Sequence, residues 1–359
     1  MREDMIFAIL PAVSRTFALS INALLPHRAR RALKTGRINA KTFARGDAAL
    51  ASDIALAYLL CRLLDTIEDD AALPAKKRAS LLSSLGRALA DDVYMKEALR
   101  ELARIAPAIQ ATPAEKELLD NAAALFARLA LRGNKASILR HAGEMAFGMA
   151  ACVTDDPQGA IQSRADLDRY CHYVAGTVGA MLTELFIAYP LAITRNFPRK
   201  RAEILRGNME AFARGLQLVN IIKDCCKDFA AGRCFIPAEM VRASGLSYAE
   251  FFSESNDAQR RAAMKPLLEA AAADIDRAGI YTRALPRRMR QARLFCILPI
   301  ALARATLNLL AAPPKPGSDY TRIRISRHRV ALLALLARPA AISNLCLTLL
   351  CSRKTRRRI

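Results

Sequence analysis

Two groups of carboxylates carry a spacing that chemistry can use. In "LDTIEDD" (64–70), Asp65, Glu68 and Asp69 stand at i, i+3 and i+4, so a helix through them presents three carboxylates on one face. In "KDCCKD" (223–228), Asp224 and Asp228 stand at i, i+4. Like charges at that spacing repel, yet both groups follow apolar runs, Ile54 to Leu60 and Leu216 to Ile222, that read as core helix. A hard divalent cation removes the conflict. Mg²⁺ prefers oxygen ligands, keeps several waters, and is held by one or two carboxylates together with the phosphates of a substrate. Two such helices facing each other would hold a set of ions and bind a diphosphate between them. The alternative is a pair of solvated helix ends, where acids near an N-terminus favour the helix dipole.

Other residues nearby are placed to assist. Arg62 precedes Asp65 by three residues on the same helical face, and Arg15 in "SRTF" and Arg233 in "GRCF" add cations. A guanidinium fork suits phosphate oxygens, and a structural ion pair explains each arginine taken singly. Tyr170 opens "YCHYVAGTVG" (170–179). By residue type it reads as a buried tyrosine with a satisfied hydroxyl, and His172 as a structural neighbour. Gly176 and Gly179, one helical turn apart, allow either close helix packing or room for a ligand chain.

The elements that must position these groups are helices. The chain has 359 residues, of which 53% are hydrophobic, enough for a sizeable core. Ala, Leu, Arg, Met and Glu abound, with no sustained alternation of β-branched residues. Breaks fall near Pro74, Pro107, Pro113, Pro157, Pro190, Pro237, Pro266, Pro286 and the Pro-rich stretch 313–317. The pattern predicts an all-α bundle of about ten or more helices. Nine cysteines with no CxxC pair fit a reducing compartment and structural thiols. Glu3 and Asp4, with no basic run ahead of an apolar one, argue against a signal or transit peptide.

The net charge of +22 is concentrated late: residues 281–359 hold 17 Lys or Arg and one acid, Asp319. Such clusters suit nucleic acid, an anionic membrane surface or phosphorylated ligands. No aromatic residues interleave with the clusters as stacking platforms and no nucleic-acid-binding motif is present, which argues against nucleic acid. Residues 330–351 are apolar but split by Arg338 and Pro339 into pieces too short to span a bilayer core of roughly 30 Å. They read as a bundle-packed or interfacial helix. The expected organisation is a catalytic helical domain over 1–312, a basic loop over 313–329, and an apolar helical segment with a basic tail over 330–359.

"YLLCRLLDTIEDD" (58–70), "YCHYVAGTVG" and "QLVNIIKDCCKDFAAGRCFIP" (217–237) resemble, in order and at compatible spacing, the three signature regions of the squalene/phytoene synthase family. "SRTF" (14–17) resembles its N-terminal diphosphate-contacting segment, and "LFCILPIALARATL" (294–307) its late helix. The resemblance covers residues 14 to about 310. It implies a single large isoprenoid-synthase-type bundle with a central cavity, and Asp65, Glu68, Asp69, Asp224 and Asp228 as Mg²⁺ ligands. It further implies that Ser14, Arg15, Phe17, Tyr58, Arg62, Gln217, Asn220 and Arg233 contact substrate. Tyr170 would take part in proton removal, with Asp or diphosphate oxygens as rival bases, and Phe295 would line the cavity of a second step. Lys223 stands where relatives usually carry Arg, which keeps the charge and loses the fork.

The "DTIEDD" form and the His172-Tyr173 pair favour the squalene-forming branch. The expected reaction is therefore head-to-head condensation of two farnesyl diphosphates to presqualene diphosphate, then NADPH-dependent reduction. The basic stretch with Lys315, Arg322 and Arg324 occupies the position of the family's NADPH loop. Branches that make phytoene, dehydrosqualene or presqualene diphosphate without NADPH remain open, and a basic, non-enzymatic membrane- or nucleic-acid-binding helical protein is a more distant reading. The C-terminus is expected to attach peripherally to the cytoplasmic membrane face, because a C30 product has little solubility in water.

Overall fold

The computed structural model describes residues 2–38, 42–43, 46–154, 161–189, 197–312 and 324–351. Among them are nineteen α-helices and no strand. Lys315, Arg322 and the basic tail 352–359 lie outside the described residues, as does the side chain of Arg15.

The centre of the bundle is the Gly46–Glu68 helix, in which residues 48 to 57 are all buried. A helix apolar all round is stable only when neighbours cover every face. Its acids come at the far end, where the core stops. The preceding helices are fastened to it by polar contacts. Glu3 of Glu3–Val13 is buried and accepts hydrogen bonds from the Ser52 hydroxyl at 2.9 and 3.0 Å, with Arg128 as its ion-pair partner. The next helix, Arg15–Leu24, starts at Ser14, whose Oγ accepts from the Phe17 N–H at 3.2 Å as an N-cap.

The second acid-bearing helix, Met209–Ala230, packs along Asp257–Ala284. Arg214 is bidentate to the buried Asp274, with Nε at 2.7 Å and Nη2 at 3.0 Å. The helix Thr177–Ala188 also lies against Met209–Ala230, and its approach depends on glycine. A Cβ on Gly179 would stand 2.7 Å from the Met209 carbonyl oxygen and 2.8 Å from Ala213 Cβ, and one on Gly176 would stand 2.4 Å from a Glu210 oxygen. Close helix packing is thus the role of Gly179, which also lines the cavity described below, whereas the contact at Gly176 is with the end of the Glu210 side chain alone. His172 sits between Glu144 and Glu210, with a ring nitrogen 3.2 Å from each, as a structural bridge.

One expected break is absent. Pro266 lies inside Asp257–Ala284, a 28-residue helix. Proline removes one backbone hydrogen bond, but Met264, Leu267, Ala271 and Ile275 around it are buried, and that packing outweighs the local loss. Two helical stretches, Arg164–Ala188 and Arg290–Leu310, are long and apolar enough to cross a membrane by length and composition, and half or more of each apolar window is buried inside the bundle.

The late basic region divides in two. Arg293 and Arg304 are buried and act as internal clamps. Arg293 donates to the Leu285 carbonyl at 2.9 Å, just past the end of Asp257–Ala284, and to Asn344 Oδ1 at 2.7 Å. No carboxylate is paired with it among the described residues, and a helix C-terminus is where an unpaired cation is best placed. Arg304 donates to the Cys351 carbonyl at 3.1 Å and pairs with Asp276. These clamps hold Asn344–Cys351 on the bundle, and Ala337 and Ala340 of Arg327–Ala340 are buried beside Leu347 and Cys351, so residues 330–351 pack on the protein on one side. The chain turns between the two helices just after Pro339.

Gly179→Ala should lower stability by about 1–3 kcal/mol, because neither a backbone oxygen nor a helix-bound Cβ can move cheaply. A urea midpoint equal to that of the parent would show that the contact is not as tight as described.

Candidate active site

Helical spacing places Tyr58, Arg62, Asp65 and Asp69 along one face of the first acid-bearing helix and the residue after it. Gln217, Asn220, Asp224 and Asp228 line one face of Met209–Ala230 in the same way. Both faces border a single cavity of about 630 Å³. Two residues past the end of the second helix stands Gly232, whose φ of 76° is the left-handed conformation that suits glycine. This turn brings the Arg233 N–H onto the Asp228 carbonyl at 2.8 Å and sends its side chain back across the cavity mouth. Arg233 Nη1 stands 2.6 Å from Asp69 and Nη2 stands 3.2 Å from Asp228. One guanidinium therefore spans the two acid groups.

Arg62 lies on the other side of the first group. Its Nη1 is 3.9 Å from Asp65, and its Nη2 pairs with Glu115. Glu115 is itself fixed by a capping box, accepting from the Thr112 N–H at 2.8 Å and hydroxyl at 2.7 Å. Lys223 does not line the cavity; its Nζ approaches Asp224 from outside at 2.9 Å.

Crowding these acids into one half-buried mouth alters them. Burial first, and the neighbouring Asp69 second, push the Asp65 carboxyl up to about 7 despite Arg62. Glu68 is held well above its ordinary value by burial and by Asp69 and Asp65. Burial also raises Asp228, against the opposing pull of Arg233. A carboxyl raised in this way favours the fold when protonated. Its contribution is full below the ordinary range near pH 4 and is lost as pH rises through about 7. A cation bound at the mouth acts in the opposite sense, by favouring the ionised form.

Below the mouth the walls are aromatic and apolar. Phe17 stacks on Tyr58 with centroids 3.8 Å apart, and Phe295 meets Phe17 edge-on at 5.8 Å. Tyr170 stacks on Phe235 at 4.9 Å. Burial, then Glu68, Asp69 and Asp65, hold the Tyr170 phenol far above its ordinary range, so it stays protonated. Just after it, residues His172–Gly176 form a π-helical turn that supplies Val174 and Ala175 to the wall. An anionic head at the mouth and an apolar chain beneath match these surfaces.

Of the residues singled out from sequence, Ser14, Phe17, Tyr58, Arg62, Asp65, Glu68, Asp69, Tyr170, Gln217, Asn220, Asp224, Asp228, Arg233 and Phe295 all border this cavity. Arg324 is exposed and does not. Sequence reasoning missed Glu115, Lys227 and Phe235. The "TPAE" pattern around Glu115 announces a helix start but not a partner for Arg62. Among the described residues no three His, Cys, Asp or Glu side chains gather closely enough to enclose an ion alone. That donor set, one or two carboxylates from each side, suits Mg²⁺, which completes its shell with water and phosphate oxygens.

A profile described as squalene/phytoene synthase matches residues 34–329. Squalene synthase BSS of Botryococcus braunii is 28% identical over 318 residues, covering 84% of this chain and 57% of that protein. A bifunctional lycopene cyclase/phytoene synthase of Phaeosphaeria nodorum is 32% identical over 243 residues, covering 67% of this chain and 39% of that protein. The chain therefore spans less than two thirds of the length of these relatives. A solved structure described as TcSQS with the ligand BPH1237 has the same all-α fold, with a TM-score of 0.73 at 23% identity, over 99% of this chain and 93% of that one. Because the family match runs from residue 34 to residue 329, and so takes in both acid-bearing helices and Tyr170, the chain belongs to the squalene/phytoene synthase family.

Proposed function

We propose that the protein is a prenyltransferase that condenses two farnesyl diphosphates head to head to presqualene diphosphate and reduces this to squalene with NADPH. The observation that carries the reading is the pair of facing acid groups, spanned by Arg233, over an aromatic cavity. Asp65, Asp69, Asp224 and Asp228, with Glu68 beside them, would hold Mg²⁺, whose charge favours departure of an allylic diphosphate. Arg62, Arg233 and Lys227 bind diphosphate oxygens at the same rim. Tyr58, Phe17 and Phe295 exclude water and turn ring faces and edges toward the cationic carbon chain. Tyr170, protonated at its hydroxyl, accepts a substrate proton only as it passes its own to an acceptor nearby, for which the oxygens of the departed diphosphate serve. The second half-reaction needs a hydride, which NADPH supplies when bound. Lys315 and Arg322, assigned to that cofactor by sequence, lie outside the described residues, and Arg324 is exposed.

The reading extends to a peripheral site on the cytoplasmic face of a membrane. The outer sides of the two C-terminal helices carry Leu332, Leu335 and Leu336 at i, i+3, i+4, and Leu345 and Leu349 at i, i+4, with Ile342 exposed in the turn between them; Leu345 is 70% and Leu349 65% exposed. Arg327 and Arg329 are exposed beside them, and the basic tail adds five further cations. An apolar face rimmed by cations suits an anionic bilayer surface better than a second, equally basic copy.

Three measurements test these statements. Asp224→Asn and Asp228→Asn should each cut first-step turnover with Mg²⁺ by at least about a hundredfold with little change in Tm, since Asn keeps shape and loses charge; near-normal turnover would overturn the paired-site reading. With farnesyl diphosphate, mass spectrometry should find a C30 hydrocarbon when NADPH is present and presqualene diphosphate or hydroxylated and dehydro products when it is absent. Identical products in both incubations would favour the NADPH-independent branches, to which phytoene synthesis belongs. Finally, a Leu345→Glu, Leu349→Glu double variant should reduce cosedimentation with anionic liposomes several-fold while soluble first-step turnover persists; unchanged cosedimentation would remove the membrane assignment from this face.

A further inference from the structure

Each aspartate of the two facing groups already has a cation of the chain beside it. Arg62 is 3.9 Å from Asp65, Arg233 is 2.6 Å from Asp69 and 3.2 Å from Asp228, and Lys223 is 2.9 Å from Asp224. The three cations are not equally free. Arg62 keeps Glu115 as a partner whatever happens to Asp65, and Lys223 lies outside the cavity. Arg233 differs: among the described residues its guanidinium pairs only with Asp69 and Asp228, and its Nε is buried without a hydrogen bond.

We infer that Arg233 is an exchange residue, which occupies the two carboxylates in the absence of metal and transfers to the diphosphate when metal arrives. The inference rests on the diphosphate reading above and goes beyond contact with substrate. A divalent cation that takes Asp69 and Asp228 must first displace the guanidinium, and the displaced donors are left in a half-buried mouth, where unpaired charge is costly. A diphosphate offers those donors oxygens in the fork geometry they suit. Metal binding therefore releases Arg233 for the diphosphate, and the diphosphate removes Arg233 as the competitor of the metal. Each ligand strengthens the other, and by linkage the two effects are equal. In the absence of diphosphate, Arg233 opposes metal binding. A residue that served only to hold substrate would not do so.

The test is a titration of the full-length protein with Mn²⁺, followed by the electron paramagnetic resonance signal of the free ion, with and without inorganic pyrophosphate. The unaltered protein is expected to bind Mn²⁺ weakly alone and about tenfold more tightly with pyrophosphate. Arg233→Gln is expected to bind Mn²⁺ alone at least about threefold more tightly than the parent and to lose most of the pyrophosphate enhancement. Arg233→Lys, which keeps the charge but cannot reach two carboxylates at once, should move in the same direction by less, and it serves if the Gln variant does not fold. Mn²⁺ binding alone that is unchanged or weaker in both variants overturns the exchange. An enhancement retained in full does the same while leaving the diphosphate reading intact. A parent protein that binds neither Mn²⁺ nor pyrophosphate overturns both.

Discussion

Repulsion among carboxylates at the mouth of an apolar cavity is the constraint around which this protein is arranged. Asp65, Glu68 and Asp69 on one side and Asp224 and Asp228 on the other are drawn together at a half-buried rim, where burial first and the neighbouring acids second raise Asp65 and Glu68, and burial raises Asp228, against the pull of nearby cations. Left to itself such a cluster would spread apart. It persists because the acids sit at the ends of two long helices whose apolar faces are committed to the core, and because Arg62 and Arg233 neutralise part of the charge.

The stiffness of those two helices follows from contacts far from the chemistry. Arg214 grips Asp274, and Gly215 and Gly179 let neighbouring helices approach Met209–Ala230 more closely than any Cβ would permit. On the other side, Glu3 with Ser52 and Arg128 holds the first helix, which leads directly to the Ser14 cap and Phe17 in the cavity wall. Positional precision at the site is thus inherited from the packing of the bundle, as expected where interiors are close-packed and transmit displacement.

The basic C-terminal region shows how one composition can serve two purposes. Arg293 and Arg304 face inward and fasten the last helix through backbone and side-chain acceptors. Arg327 and Arg329 face outward beside a stripe of exposed leucines. A helix pair packed on the protein on one side can afford an apolar opposite side without losing its place on the bundle.

Much of this was legible in the chain itself. The i, i+3, i+4 spacing of Asp65, Glu68 and Asp69 and the i, i+4 spacing of Asp224 and Asp228 follow from helix geometry once the flanking runs read as helix, and the local motifs around Ser14, Tyr170 and Arg233 marked residues that the fold brings to one cavity. Local signals failed where long-range packing outweighed them, as at Pro266, which a buried helical face carries through without a break. Pairings across the fold were not legible at all. Nothing local links Arg62 to Glu115, or distinguishes the buried Arg293 from the exposed Arg287, because the partners and the burial are set by other segments of the chain. The sequence by itself determined which carboxylates share a helical face, since that depends only on residues within two turns. The tertiary structure alone decided that the two faces meet across one cavity with Arg233 between them, since that depends on how helices far apart in the chain pack.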